Sequence, residues 1–175
     1  MPVDALIVIT IQKMFTGSVL GIWLDVFLAR VLIFAYLPLM AWLWVYGNSR
    51  EKHAVKEAMW SVGVAIFLGE ALSFIFLRLR PFLAVPNILA LIPPPLTNSF
   101  PSIHTSIAVA VTAALYAVNK KWGLACLLMV LGIAIGRMGA GVHYPTDILG
   151  GMLVGLVSFV LVRLGHKALR QRSVA

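Results

Sequence analysis

The chain has 175 residues, of which 61% are hydrophobic and only 11% are charged, and its mean hydropathy is +0.98. A soluble domain carries about 25% charged and about 45–50% apolar residues, so this composition excludes an ordinary soluble domain and indicates an integral membrane protein. Much of the net charge of +8 lies in short segments beside hydrophobic runs, which is typical of topology signals and not of nucleic-acid binding. The single cysteine, Cys126, excludes an intrachain disulfide and a metal cluster built on cysteine.

The hydrophobic runs predict an all-α fold, a single-domain membrane bundle of five spanning helices. Residues 4–15 are apolar but too short to span, and they predict a helix in the membrane interface, with a sixth span left open. Residues 16–22 predict a turn into the first span. The predicted spans are 23–46, 58–77, 104–118, 122–137 and 146–164.

Three features of these spans carry structural expectations. Pro38 predicts a kink in the first span, because proline has no N–H to donate within a helix. The small-residue pairs Gly132/Gly136 and Gly151/Gly155 predict close helix packing.

The connections between the spans predict the topology. The polar loop 48–57, the hairpin 119–121 and the tail 166–172 are all basic and all fall on one side, which the positive-inside rule makes cytoplasmic. The C-terminus is then cytoplasmic. The proline-rich loop 78–103 falls on the extracytoplasmic side, and a loop of this length is uncommon without a function.

A histidine and a carboxylate follow one another at helical spacing near the start of the last span. His143 and Asp147 are four residues apart, and Pro145 between them suits a first helical turn. The carboxylate can hold one ring nitrogen as a donor and leave the other free as a nucleophile or base. The alternative is a histidine that merely caps a helix.

Other polar residues are predicted to share the same side. Ser102 heads an apolar run and is a candidate N-cap, and free N–H groups at a helix start bind phosphate. His104 follows it. Arg80 and Arg137 present planar guanidinium groups that match phosphate oxygens. An ordinary cap, an interfacial histidine and arginines that reach lipid headgroups are the alternatives.

Taken together, the two histidines, the two arginines, the serine and the aspartate suffice for phosphoryl transfer without a metal. A magnesium site is not indicated, because Mg²⁺ prefers several carboxylate ligands and the motifs offer few. Glu70 lies inside the second predicted span, where a carboxylate is a functional candidate. A structural role and a substrate contact are both open for it.

The chain resembles the type 2 phosphatidic acid phosphatase superfamily of membrane phosphatases, and within it the bacterial undecaprenyl-diphosphatase branch. The family shows three motifs: lysine then Arg-Pro, Pro-Ser-Gly-His, and Ser-Arg followed by histidine and aspartate. Their order and spacing match the segments Ser73…Arg80-Pro81, Pro101-Ser102-Ile103-His104 and Gly136-Arg137…His143…Asp147.

The resemblance implies a role for each matching residue. His143 is the implied nucleophile that forms a phosphohistidine, Asp147 orients it, and His104 protonates the leaving oxygen. The implied phosphate ligands are Arg80, Arg137, Ser102 and the backbone N–H of Ile103.

Three positions depart from the family pattern. Ser73 stands in place of the lysine, and Arg78 is a candidate substitute for the missing cation. Ile103 replaces glycine and Gly136 replaces serine. None of these changes removes the implied nucleophile or acid.

The sequence therefore predicts a metal-independent enzyme in the bacterial inner membrane, with no cofactor and with the bilayer and a lipid as its partners. The expected substrate is undecaprenyl diphosphate, cleaved at the extracytoplasmic face. Other lipid phosphates (phosphatidylglycerol phosphate, phosphatidate or a lipid A phosphate) are alternatives within the class. The alternative from another class is a headgroup binder or transporter, which would need no nucleophile and would use Glu70 for coupling.

Overall fold

The computed structural model describes residues 2–93 and 98–172, and every regular element in these ranges is helical. Helices suit a bilayer because they satisfy their backbone hydrogen bonds internally. The all-α prediction is confirmed. The helices are α1 (Val3–Thr16), α2 (Val19–Val26), α3 (Tyr36–Tyr46), α4 (Ser49–Ile75), α5 (Pro81–Ala84), α6 (Ile103–Tyr116), α7 (Lys120–Gly139) and α8 (Pro145–Arg172).

The first span is a helix with an irregular middle. A π-helical turn at Phe27–Val31 and a 3₁₀ turn at Leu32–Ala35 join α2 to α3. Pro38 cannot donate to the carbonyl one turn earlier, and the irregular turns lie directly before that position. The helix itself is regular around Pro38, within Tyr36–Tyr46, and the kink expected at the proline stays a prediction.

Two helices begin earlier than the sequence predicted, because polar side chains cap them. The hydroxyl of Ser18 accepts a backbone N–H of α2, so the predicted turn 16–22 is wrong from residue 19 onward. The predicted polar loop 48–57 is also wrong. Asn48 accepts the N–H of Glu51, and the Glu51 side chain accepts the N–H of Asn48, so this capping box starts α4 at residue 49.

In the part of the chain that the structure describes, four helical segments are long and apolar enough to cross a membrane: Val19–Tyr46, Ser49–Ile75, Lys120–Gly139 and Pro145–Leu169. The third predicted span corresponds to α6, which has only 14 residues. At 1.5 Å per residue it is about 21 Å long, short of the roughly 30 Å hydrocarbon layer. It is instead the central helix, packed against α4, α7 and α8.

Glycines allow α8 to approach this central helix closely. A Cβ atom on Gly151 would collide with the carbonyl oxygen of Ser102, and one on Gly155 would collide with that of Ser106. Gly136 of α7 faces the π-helical turn in the same way. The predicted close packing at these glycines is confirmed, and it sets the distance between the first turns of α6 and α8.

Contacts between distant segments define the two ends of the bundle. At one end Asn119 donates to the Glu51 carboxylate at 2.9 Å, and the rings of His53 and His166 are 5.9 Å apart. The three basic segments of the sequence therefore meet at this end. The loops that carry the candidate site lie together at the opposite end.

Helix α1 covers part of the site end. The Gln12 amide donates to the carbonyl oxygens of Leu89 and Gly139 at 2.8 and 2.9 Å, and its oxygen accepts the N–H of Leu89. This side chain ties α1 both to α7 and to the long loop. Its location in a membrane interface stays a prediction, and residues 94–97 of the predicted 78–103 loop lie outside the described residues.

Candidate active site

His143 lies in the short connection between α7 and α8. The chain reverses at Gly141, whose φ of 73° is a conformation that glycine adopts without a steric penalty. Pro145 is the first residue of α8, as the sequence predicted. The Asp147 carboxylate accepts the N–H of Tyr144 at 2.8 Å, which fixes the first turn and with it the pair His143 and Asp147.

The ring of His143 is oriented by a backbone carbonyl. Its Nδ1 lies 2.7 Å from the Ser99 oxygen and 3.6 Å from the nearer carboxylate oxygen of Asp147. A separation of 3.6 Å is too long for a hydrogen bond, so the acceptor expected at Asp147 is supplied by Ser99. A carbonyl only accepts, so Nδ1 carries the proton and Nε2 has the free lone pair.

Two arginines converge on that lone pair. Nε2 of His143 lies 3.4 Å from an Nη of Arg80 and 3.3 Å from an Nη of Arg137. Arg80 also donates to the Val142 carbonyl at 2.9 Å, and Arg137 donates to the Ala29 carbonyl at 3.2 Å. Both guanidinium groups are thus held in place. An anion within reach of Nε2 would meet both of them.

Burial makes this histidine a neutral base. It lowers the pKa of His143 to about 4, an effect that the Asp147 carboxylate opposes and the Arg137 and Arg80 charges reinforce. At neutral pH the imidazole is therefore unprotonated, the state that a nucleophile requires.

A cavity of about 240 Å³ opens in front of Nε2. Its walls come from α4, the long loop, the start of α6, the end of α7 and the α7–α8 connection. It is lined by Glu70, Ser73, Arg80, Asn98, Pro101, Ile103, His104, Arg137 and His143. The structure thus brings both histidines and both arginines of the predicted set to one space.

Ser102 is at the predicted N-cap of α6 but does not line this cavity. Its side chain is fully buried, and it makes no cap hydrogen bond to the helix. Its oxygen instead accepts the hydroxyl of Thr105 at 3.0 Å. Ile103, the first helical residue, does line the cavity, and the first N–H groups of a helix have no partner within it.

Glu70 is closer to the site than its sequence position suggested. A separation of ten residues from Arg80 corresponds to about 15 Å along a helix. Helix α4 ends at Ile75, however, and the chain then turns back towards the cavity. Glu70 and Ser73 therefore both line it, and the carbonyl oxygen of Ser73 accepts the Asn98 amide at 2.8 Å.

Arg78 does not line the cavity, in contrast to its expected role as a substitute for the missing lysine. One Nη donates to Asp147 at 2.8 Å, and the other donates to Asp4 at 2.8 Å. Its guanidinium group lies 4.1 Å from the centre of the Tyr144 ring. Arg78 thus forms an ion pair with Asp147 outside the cavity and links Asp147 to α1.

The bundle and its cavity define the class of the protein, a membrane-embedded phosphatase. The chain belongs to the PAP2 superfamily, which it matches over residues 54–171. All the residues that line the cavity lie within this range.

Sequence relatives support this assignment. The chain is 30% identical over 132 residues to the undecaprenyl-diphosphatase BcrC of Bacillus subtilis, covering 75% of this chain and 68% of that protein. It is 29% identical over 136 residues to the bacitracin transport permease protein BcrC of Bacillus licheniformis, covering 78% and 67%. It is 31% identical over 153 residues to the putative undecaprenyl-diphosphatase YbjG of Escherichia coli, covering 82% and 75%.

Two solved structures share the fold. The LpxE protein of Aquifex aeolicus superimposes with a TM-score of 0.70 at 23% identity, covering 87% of this chain and 92% of that one. A PAP2-type phosphatidylglycerolphosphate phosphatase of Bacillus subtilis gives a TM-score of 0.63 at 20% identity, covering 94% and 85%. The helical architecture is therefore that of the superfamily.

The contacts of Arg78 lead to a testable effect on activity. We expect Arg78→Ala to lower kcat/KM for phosphate release by about 10–100-fold, because a hydrogen bond to a charged group contributes about 1.5–3 kcal/mol. Arg78→Lys should recover part of the loss, since it restores the charge but not both hydrogen bonds. The exposed Arg50, at the opposite end, provides the matched control Arg50→Ala. Equal losses in Arg78→Ala and the control would contradict the supporting role.

Proposed function

We propose that this phosphatase removes the terminal phosphate of a polyprenyl diphosphate and converts undecaprenyl diphosphate to undecaprenyl phosphate and inorganic phosphate. The observation that carries the proposal is the unprotonated Nε2 of His143 at the wall of a cavity, within 3.4 Å of the guanidinium groups of Arg80 and Arg137. Relatives that carry the name undecaprenyl-diphosphatase support the choice of substrate.

The proposed first step is an attack on the terminal phosphorus. Nε2 of His143 forms the N–P bond while the bond from phosphorus to the bridging oxygen breaks. Burial and the charge of Arg137 lower the pKa of His104 to about 3; the negative charge of the bound diphosphate opposes this and keeps His104 protonated, so that it gives its proton to the leaving undecaprenyl phosphate. The transferred phosphoryl group gains charge stabilisation from Arg80 and Arg137. The Ile103 N–H at the start of α6 is the proposed further donor.

The second step hydrolyses the phosphohistidine. His104, now neutral, takes a proton from a water molecule whose oxygen attacks phosphorus, and the N–P bond breaks. Phosphate leaves and His143 returns to its starting form. Within the described lining of the cavity Glu70 is the one carboxylate, which is fewer than Mg²⁺ prefers, so no metal takes part in the proposed steps.

We also propose that the site faces the extracytoplasmic side of a bacterial inner membrane, with the C-terminus in the cytoplasm. The basic segments that meet at the other end of the bundle support this orientation. The product would then be a recycled carrier for peptidoglycan and other wall polymers.

The orientation is tested by labelling a cysteine introduced at Lys120. This cysteine should react with a membrane-impermeant maleimide only after the inner membrane is opened. Reaction in intact cells would show that the orientation is the opposite of the one proposed.

The substrate is tested by comparing lipids in the same detergent. Phosphate release is measured from undecaprenyl diphosphate, phosphatidylglycerol phosphate, phosphatidate and a lipid A phosphate, with EDTA present. The proposal predicts the highest kcat/KM for undecaprenyl diphosphate. A higher kcat/KM for another lipid would mean that this lipid is the preferred substrate, while the protein would still be a lipid phosphatase. Binding of these lipids without any phosphate release would favour a headgroup binder or transporter instead.

A further inference from the structure

A second cluster of polar side chains lies at the end of the bundle opposite the cavity. His53 and Glu57 are one turn apart near the start of α4, and His166 lies near the end of α8. From Asp147 to His166 the rise along α8 is about 28 Å. The cluster is therefore separate from the active site, and the proposed reaction does not use it.

The three side chains point at one another. Oε1 of Glu57 is 3.5 Å from Nε2 of His53 and 3.9 Å from Nδ1 of His166. One ligand atom from each residue lies within 4.8 Å of the other two. Within the described residues no other group of three such side chains comes this close.

One buried nitrogen of this cluster lacks a hydrogen-bond partner. Nδ1 of His166 is buried and makes no hydrogen bond within the described residues, because its 3.9 Å separation from Oε1 of Glu57 is too long for one. The Glu57 residue is only 5% exposed, and its Oε1 lies near a nitrogen of both imidazoles. Buried polar groups of native proteins are satisfied by a protein group, water or an ion. An ion bound between the three side chains would satisfy Nδ1 of His166.

We propose that His53, Glu57 and His166 bind a divalent transition-metal ion of the Zn²⁺ class. Two imidazoles and one carboxylate form a ligand set that zinc accepts, with bonds of about 2.0–2.2 Å. In a tetrahedral site such bonds hold neighbouring ligand atoms about 3.4 Å apart, close to the two separations from Glu57. His53 is about half exposed, so a fourth position is open to water.

The site has a structural consequence. Its ligands come from α4 and α8, two helices that pack against each other and against α6. A bound ion would clamp their ends together, and it would stabilise the folded protein because it binds the unfolded chain less well. Because the ion lies far from the cavity, its removal leaves phosphate release unchanged.

The test uses the full-length protein in detergent, with no polyhistidine tag, after the removal of metal by a chelator. Zn²⁺ is titrated against a chromophoric competitor, and the melting temperature is measured with and without Zn²⁺. We expect one ion per chain, a rise in melting temperature, and an affinity at least about tenfold lower in His166→Ala and in Glu57→Gln. The neighbouring Lys52→Ala is the matched control and should bind as the wild type does. Co²⁺ in place of Zn²⁺ should give the visible absorption of a low-coordinate site in the wild type alone.

Three outcomes would overturn the proposal. The first is the absence of stoichiometric binding, which leaves the cluster as a contact between a carboxylate and two imidazoles. The second is equal affinity in the wild type and both ligand variants, which locates the ion elsewhere. The third is a zinc-dependent rise in melting temperature that persists in His166→Ala. Phosphate release is measured in parallel with EDTA present, so a failure of the catalytic proposal is seen separately.

Discussion

Substitution of His143 by alanine is expected to lower kcat/KM for phosphate release by about 10⁴-fold or more, since the substitution removes the proposed nucleophile and single nucleophile deletions in other hydrolases have effects of this size. The measurement is phosphate release from undecaprenyl diphosphate in detergent with EDTA. His143→Asn is the matched variant, because its amide can still donate to the Ser99 carbonyl. Both variants should lose activity to the same extent.

The two variants separate chemistry from folding. The wild-type imidazole is buried and bonded to the Ser99 carbonyl at 2.7 Å, so alanine leaves both a cavity and an unsatisfied carbonyl. His143→Asn should therefore melt at a higher temperature than His143→Ala while remaining equally inactive. Activity within tenfold of the wild type in either variant would mean that another group attacks phosphorus.

The second large effect is expected at Arg137. Arg137→Lys should lower kcat/KM by about 10²–10³-fold, because one positioned donor to a developing anion contributes about 2.7–4 kcal/mol to catalysis. Lysine retains a charge but lacks the planar fork that reaches both the Ala29 carbonyl and the phosphate. The loss should appear mainly in kcat, since the charge on phosphorus grows in the transition state.

Arg163, on α8 beside Phe159, serves as the control for this substitution. Arg163→Lys changes the same side chain outside the cavity and should leave kcat/KM within about twofold, as surface substitutions generally have small effects. A loss of less than threefold in Arg137→Lys, with normal melting behaviour, would remove Arg137 from the phosphate-binding set.

The parts of the site that sequence predicted are those fixed by local rules. Pro145 and the four-residue spacing of His143 and Asp147 define one helical turn, and the structure shows that turn. Ser102 precedes an apolar run and lies at the N-cap position directly before α6, although its side chain makes no cap hydrogen bond. The sequence also predicts that the polar loops of the site lie at one end of the bundle, because it counts the helices between them. That count treats α6 as a span, although α6 is shorter than a membrane-spanning helix.

The parts that sequence missed depend on contacts between distant segments. The carbonyl that orients His143 belongs to Ser99, and every residue has a carbonyl, so no residue type signals it. The partner of Arg78 is Asp4, 74 residues away, and a pair this distant leaves no periodic pattern. The approach of His166 to Glu57 likewise depends on how α8 packs on α4.

Errors in the helix boundaries have a different cause. The segment 48–57 is polar and predicts a loop, but it forms the start of a long helix on which Arg50 and Lys56 are exposed and Glu57 is buried. The Asn48 and Glu51 pair is a capping box, a signal that was present in the sequence and outweighed there by composition. The π-helical turn at Phe27–Val31 was not predicted; it contacts Gly136 of α7, a residue more than 100 positions away in the chain.

The central claim is a covalent phosphohistidine at residue 143, and the stereochemical course at phosphorus tests it most directly. A polyprenyl diphosphate whose terminal thiophosphate is made chiral with isotopic oxygen is hydrolysed in isotopic water, and the configuration of the released thiophosphate is determined. Two successive in-line displacements, first by His143 and then by water, predict retention of configuration. Inversion would show a single displacement by water and would contradict the account.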